Sequence, residues 1–191
     1  MPTSLSRVTF RTSRLLDFCS EKELVAQTGH SRDYWPLVVL KELVDNALDA
    51  AEEARIAPEI SVTVDSEGIT VKDNGPGIPQ ETIKNILNYT VRVSSREAYM
   101  APDRGAQGNA LKTIVAMPYV LDGNSGKVII SAQGVDSIIT FRVDRIRQEP
   151  VIEMDTQESL VKNGTQVKMI WPDLACLLNV RDSNLPILTN R

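Results

Sequence analysis

Cysteine and histidine are nearly absent from this chain of 191 residues, which has Cys19, Cys176 and a single histidine, His30. Two cysteines make no disulfide framework, and they are not spaced as metal ligands, so a zinc site is excluded and reduced thiols are expected. Long apolar runs are missing as well. No stretch approaches the roughly 18 residues of a membrane span, and no apolar segment follows a basic start at the N-terminus. The expectation is a soluble, cytoplasmic protein with no membrane partner. Surplus positive charge is also lacking: 21 basic against 25 acidic residues, with a pI near 5.1, argues against direct DNA binding by this chain. There is no internal repeat and no low-complexity segment. What is left is 42% hydrophobic and 24% charged, an ordinary globular composition. Residues 1–172 are expected to form one domain with an N-terminal arm, and 173–191 a tail.

Residues 37–54, LVVLKELVDNALDAAEEA, dominate the pattern. Leu37, Leu40, Leu43, Val44, Ala47, Leu48 and Ala51 recur at three- and four-residue spacing, which predicts a helix packed on a sheet. Glu42, Asp45, Asn46 and Asp49 are expected opposite that arc. Glu42 and Asn46, four apart, stand one above the other and can reach a single ligand, as a metal-triphosphate would require. Taken alone, the segment also fits an ordinary surface helix with its acids outside.

Around it, Ser20-Glu21-Lys22-Glu23 is a capping box opening a short helix to about Gln27, with Gly29 as its stop. Residues 6–12 are β-rich and fit either a sheet-edge strand or an arm reaching a second subunit. Strands are expected at 59–64 and 69–72, joined by a tight turn. They deliver the chain to Asp73-Asn74-Gly75-Pro76-Gly77-Ile78-Pro79. A carboxylate at a strand end beside two glycines can accept a hydrogen bond from an exocyclic amine and would repel the carbonyl oxygen of guanine, so adenine is the base predicted. The same heptapeptide also reads as a turn without a ligand. A helix is expected at 81–89 and an aperiodic lid at 90–103. A glycine loop then runs into a helix at 111–117, where backbone amides and Lys112 suit an anion. It is not a P-loop, because the lysine does not directly follow a glycine. Strands at 127–132, 137–143, 151–154 and 165–171 complete an α/β (α+β) two-layer sandwich, its mixed, largely antiparallel sheet covered on one face by helices.

KELVDNALDA, DNGPGIP, RGAQGNALKT and NGTQV, in that order, resemble the four boxes of the GHKL (Bergerat-fold) ATPases. That superfamily includes type II topoisomerase ATPase subunits, mismatch-repair proteins, an ATP-driven chaperone family and sensor histidine kinases. The nearest likeness is to the ATP-binding domain of topoisomerase VI B subunits and covers about residues 17–171. The resemblance implies ATP and magnesium as cofactors, with Glu42 as general base, Asn46 as magnesium ligand and Asp73 on the adenine amine. Gly75 and Gly77 would shape the adenine pocket, and Gly105, Gly108 and Lys112 would wrap the triphosphate. Thr165 would support the adenine end, and Ser95, in a Ser94-Ser95-Arg96 stretch with a counterpart in those relatives, joins the nucleotide contacts.

The resemblance further implies ATP-driven closure as a homodimer and a DNA-cleaving partner subunit. The chain departs from the pattern at Asn109-Ala110, where the loop usually carries another glycine. It also ends before the transducer domain that gives relatives a lysine for the γ-phosphate. It is therefore expected to be a fragment, a module relying on a partner, or an enzyme of very slow turnover. A non-hydrolysing nucleotide switch is the alternative. A phosphoacceptor role for His30 is set aside, because 12 residues before Glu42 leave no room for a separate helix pair.

Overall fold

The computed structural model describes residues 19–87, 110–144, 146–147 and 149–171. Within them Ser20 opens α1 (Glu21–Thr28) by accepting the Glu23 N–H at 3.3 Å, and Gly29, at φ 70°, closes it. The Ser20 cap, one half of the expected capping box, and the Gly29 stop stand as the sequence predicts. After a 3-10 turn (Arg32–Tyr34), α2 runs from Trp35 to Ala54, with Pro36 in the first turn, where the missing N–H has no partner to lose. The Trp35 indole donates to the His30 carbonyl at 3.1 Å, which fixes the entry to the helix. Arg55, in a left-handed conformation, ends α2 three residues before Pro58.

One expectation about α2 is corrected. Its buried side is Trp35, Val39, Leu43, Ala47 and Ala51, a strict four-residue series, whereas Leu37 is 55% exposed. Each four-residue step turns about 40° around the axis, so the buried stripe winds along the helix. Glu42, Asn46 and Asp49 flank this stripe instead of opposing it, and are half-buried or buried as a result.

The strands are β1 (Ser61–Val64), β2 (Gly68–Lys72), β3 (Gly126–Ala132), β4 (Val135–Asp144), β5 (Glu149–Glu158) and β6 (Thr165–Ile170). Their order in the sheet is β1-β2-β6-β3-β4-β5, and every described pairing is antiparallel. The expected mixed sheet is thus fully antiparallel among the described residues. Three hairpins supply β1-β2, β3-β4 and β4-β5, and β6 enters antiparallel to both β2 and β3. It is the seam between the two halves.

Alternation gives the sheet one apolar face. Ile69, Met169, Val128 and Ile139 align in one row, and Val71, Val167, Ile130 and Ser137 in the next. Both rows are buried, each member 7% exposed or less. Over them lie α2, against β2, and α4 (Ala110–Asp122), against β3. Residues 112–118 of α4 are all buried, and the helix continues through Pro118, five residues past its expected end at 117. Burial of an almost wholly apolar segment outweighs the one hydrogen bond a proline removes. The third helix of the sequence, α3 (Gln80–Ile86), hangs from the β2 exit and is pinned by Ile83, 1% exposed. The expected strand or arm at 6–12, the lid at 90–103 and the tail at 173–191 lie outside the described residues.

At the β2-β6 seam, Gly68 has φ 154°, and a Cβ there would stand 1.9 Å from the Met169 carbonyl oxygen. Gly68→Ala is expected to lower the urea midpoint by the equivalent of about 2–3 kcal/mol with an unchanged m-value. A midpoint equal to wild type would show that the seam can slide.

Candidate functional site

Asp73 leaves the end of β2 directly beside the start of β6. Its N–H donates to the Thr165 carbonyl at 2.9 Å, and its Oδ1 accepts the N–H groups of Thr165 at 3.0 Å and Gly75 at 2.8 Å. One carboxylate oxygen is thereby held by two backbone donors. No hydrogen bond among the described residues engages the other, Oδ2. The crossing is tight because Gly164, at φ 76°, lies on the Asp73 backbone, where a Cβ would come within 1.9 Å of the carbonyl oxygen. Asn74 staples the loop from the other side. Its Oδ1 accepts the Glu59 N–H at 3.0 Å and its Nδ2 donates to the Ala57 carbonyl at 2.9 Å. Gly75 packs on α2, its Cβ direction 3.0 Å from the Ala50 Cβ, and Gly77 turns the loop at φ 81°.

This loop, α2, α3 and the start of α4 enclose a cavity of about 430 Å³, within the range of small-molecule sites. Leu43, Ala47, Val71, Ile78, Leu111 and Val167 give it apolar walls. Of the predicted site residues, Asn46, Asp73, Gly77, Lys112 and Thr165 line it. Gly75 stands behind Asp73. Glu42 lies one helical turn before Asn46, next to the cavity and not in its lining. Ser95, Gly105 and Gly108 lie outside the described residues.

The acid/amide side of α2 is electrostatically uneven. Lys41 Nζ is 2.6 Å from Asp45 Oδ2 and 3.6 Å from Glu42 Oε1, so Asp45 takes most of the lysine. Glu42 Oε2 and Asn46 Nδ2 are buried with no partner among the described residues. Burial raises the Glu42 pKa above its ordinary value; Lys41 opposes the rise and Asp45 adds to it. A buried carboxylate oxygen and a buried amide end left open on one helix face, one turn apart, fit a ligand that brings its own hydrogen-bonding groups. Lys112, in the first turn of α4, is 3% exposed, and burial lowers its pKa. Asp49 is 7% exposed and has a partner of its own, in keeping with a structural part.

Several residues of the site escaped the sequence reading. Thr82 and Asn85 of α3 and Glu53 of α2 line the cavity, and Gln133, at the β3-β4 turn, reaches the Gly77 carbonyl at 3.5 Å. Thr82 and Asn85 carried a signal in their three-residue spacing on a helix following the glycine loop. Gln133 carried none, since only the fold brings it near.

The family model described as histidine kinase-, DNA gyrase B-, and HSP90-like ATPase matches residues 35–173. Among curated relatives, the B subunit of type 2 DNA topoisomerase 6 from Archaeoglobus fulgidus is 33% identical over 140 residues, 70% of this chain and 23% of that protein. Its namesake from Natronomonas pharaonis is 34% identical over 74% of this chain and 18% of its own length. That of Pyrococcus abyssi is 34% identical over 79% and 28%. The chain thus spans less than a third of the length of these relatives. A crystal structure of the N-terminal domain of a DNA repair protein aligns with a TM-score of 0.41 at 20% identity, over 76% of this chain and 39% of that one.

The raised pKa of Glu42 has a consequence for stability with a definite sign. Well below the ordinary glutamate value of 4.5 the carboxyl is neutral in folded and unfolded chains alike, and there is no penalty for burying a charge. As pH rises through the higher folded value, the folded state must ionise a half-buried group and loses stability relative to the unfolded chain. Glu42→Gln is therefore expected to melt above wild type at neutral pH, with the gap closing below about pH 4. Thermal melts across that range check this, and a gap that widens toward acid would reverse the assignment.

Proposed function

The chain belongs to the family of histidine kinase-, DNA gyrase B- and HSP90-like ATPases, and from that premise we propose a magnesium-dependent ATP hydrolase module resembling the ATPase domain of the topoisomerase VI B subunit. The observation that supports this reading is Asp73, which lines a cavity of about 430 Å³ with Oδ1 held by two backbone N–H groups and Oδ2 without a hydrogen bond among the described residues. A carboxylate fixed in that way is an acceptor aimed at an exocyclic amine and needs no reorganisation on binding. The hydroxyl of Thr165, 4% exposed, would support the same end of the base, and Gly75 and Gly77 would let the loop lie against it.

At the other end, Asn46 fits a magnesium site of the kind that takes one or two oxygens from protein and the rest from phosphates and water. Its Oδ1 would be the ligand, while its buried Nδ2, with no partner among the described residues, is an N–H donor that would reach a phosphate oxygen. Among the described residues no group of three or more His, Cys, Asp or Glu could hold a metal unaided. Bound magnesium would draw the phosphates together and offset their charge. Glu42 would orient the attacking water through Oε2 and take its proton as the water oxygen bonds to the γ-phosphorus and the bond to the ADP oxygen breaks. Its raised pKa makes it a stronger base than a solvated carboxylate. Lys112 would wrap the triphosphate together with Gly105 and Gly108, and Ser95 would join the nucleotide contacts.

By likeness to the topoisomerase relatives, the module would close as a homodimer on binding ATP and work with a DNA-cleaving subunit in the cytoplasm. Among the described residues no helix is long and apolar enough to cross a membrane. A second reading, a switch that binds nucleotide without hydrolysing it, is favoured by Ala110, whose side chain lines the cavity where the family loop usually has glycine.

Asp73→Asn keeps an acceptor for the two backbone donors and presents an N–H to the adenine amine. It is expected to weaken ATP binding by roughly 10- to 100-fold in calorimetry without lowering the melting temperature. Equal affinity would remove the nucleotide reading. Glu42→Ala is expected to bind ATP and to lose magnesium-dependent phosphate release, whereas a wild type that binds ATP and releases no phosphate would leave the switch. In sedimentation velocity, magnesium and a non-hydrolysable ATP analogue are expected to shift the chain from monomer to dimer.

A further inference from the structure

A nucleoside triphosphate presents a base, a sugar and phosphates, and the proposed function uses the cavity's polar groups at only two of these. Asp73 and Thr165 stand at the base end, and Asn46 and Lys112 at the phosphate end. The remaining polar lining is Glu53, Thr82 and Asn85. Glu53 already has an interaction of its own. The side chains of Thr82 and Asn85 make no hydrogen bond among the described residues. They are three residues apart on α3 and so share a face of that helix. Ile83, between them and 1% exposed, anchors α3 in the core and fixes where that face points.

Resting on the ATP-binding reading, we propose that Thr82 and Asn85 bind the ribose hydroxyls and make this site selective for ribonucleotides over deoxyribonucleotides. The chemistry selects the sugar. A hydroxyl and a carboxamide each donate and accept, as do the vicinal hydroxyls of ribose. A phosphate needs cations or clustered N–H donors, and no basic residue of α3 lines the cavity. The sugar hydroxyls can pair with both side chains; Asn85 is exposed and Thr82 half-buried, so water replaces a missing partner and a nucleotide lacking one hydroxyl loses one neutral hydrogen bond.

The test is calorimetric binding of ATP, 2′-deoxy-ATP and 3′-deoxy-ATP, with magnesium, to the 191-residue chain and to Asn85→Ala, Thr82→Val and Asp73→Asn. Wild type is expected to bind ATP about 3- to 10-fold tighter than at least one deoxy form, the range for a lost neutral hydrogen bond. Asn85→Ala or Thr82→Val should reduce that ratio to near one by weakening ATP and leaving the deoxy form unchanged. Asp73→Asn should weaken all three equally. A wild type that binds ATP and both deoxy forms equally, or a ratio surviving in both α3 variants, overturns the sugar assignment and leaves the ATP reading standing. A wild type that binds none of the three overturns both. Should Asn85→Ala fail to fold by circular dichroism, Thr82→Val and the isosteric Asn85→Asp carry the comparison.

Discussion

The two-way crossing between Asp73 and Thr165 is the constraint on which the rest of the molecule turns. At that point a backbone pair, Asp73 N–H to the Thr165 carbonyl, continues the β2-β6 ladder one step past the end of β2. A side-chain bond, Thr165 N–H to Asp73 Oδ1, is added to it. Since β6 is, among the described residues, the only strand joining β1-β2 to β3-β4-β5, the crossing closes the sheet and orients the carboxylate in a single contact. Gly164 is required because no side chain fits between the two strands there. The strand crossing and the cavity wall thus share the hydrogen bonds of Asp73 Oδ1, which leaves Oδ2 as the part of the carboxylate the fold does not use among the described residues.

The position of the acid/amide side of α2 follows from the same economy of space. A stripe of Trp35, Val39, Leu43, Ala47 and Ala51 advances around the helix and draws the neighbouring side chains partly under cover. Had Glu42 and Asn46 stood opposite the core, water would have satisfied both. Half-buried, they keep polar atoms without partners among the described residues, a cost the fold carries at this place. The Lys41–Asp45 pair, exposed on one side, adds little stability. It does draw the Lys41 ammonium toward Asp45 and away from Glu42, which leaves burial as the dominant influence on the Glu42 carboxyl.

Local signals made most of the fold legible. The Ser20 cap, the Gly29 stop and the end of α2 at Arg55 each depend on a few adjacent residues and were readable from them. Strand positions followed from alternation. What alternation could not show was strand order: nothing in the TQVKMI segment says that it lies between β2 and β3. Pairing it there needs contacts some 90 residues apart, such as Asp73 with Thr165. Helix continuation through Pro118 was hidden for a related reason, since the burial that overrides the proline comes from β3. In the candidate site, Asp73 and Asn46 were found because their neighbours carry a motif. Asn74 was passed over as a turn residue, though it ties the loop to the chain between α2 and β1. Thr82 and Asn85 offered only their spacing on a short helix, and Gln133 belongs to the site by position alone.

A single rigid element sets the distance between the two ends of the cavity. Gly75 rests on Ala50, and Asn46 lies one turn earlier on the same helix. The Asp73 loop and the Asn46 amide are thus separated along α2 by four residues, about 6 Å of helical rise. Anchoring both ends on one helix means that their spacing does not depend on how α4 or the residues before it are placed. A shift of α4 would carry Lys112 relative to that frame without moving Asp73 or Asn46. The apolar walls between them, Leu43, Ala47 and Val71, come from the same buried rows that hold α2 on the sheet. Loosening that packing would act on the site first through the spacing of its ends.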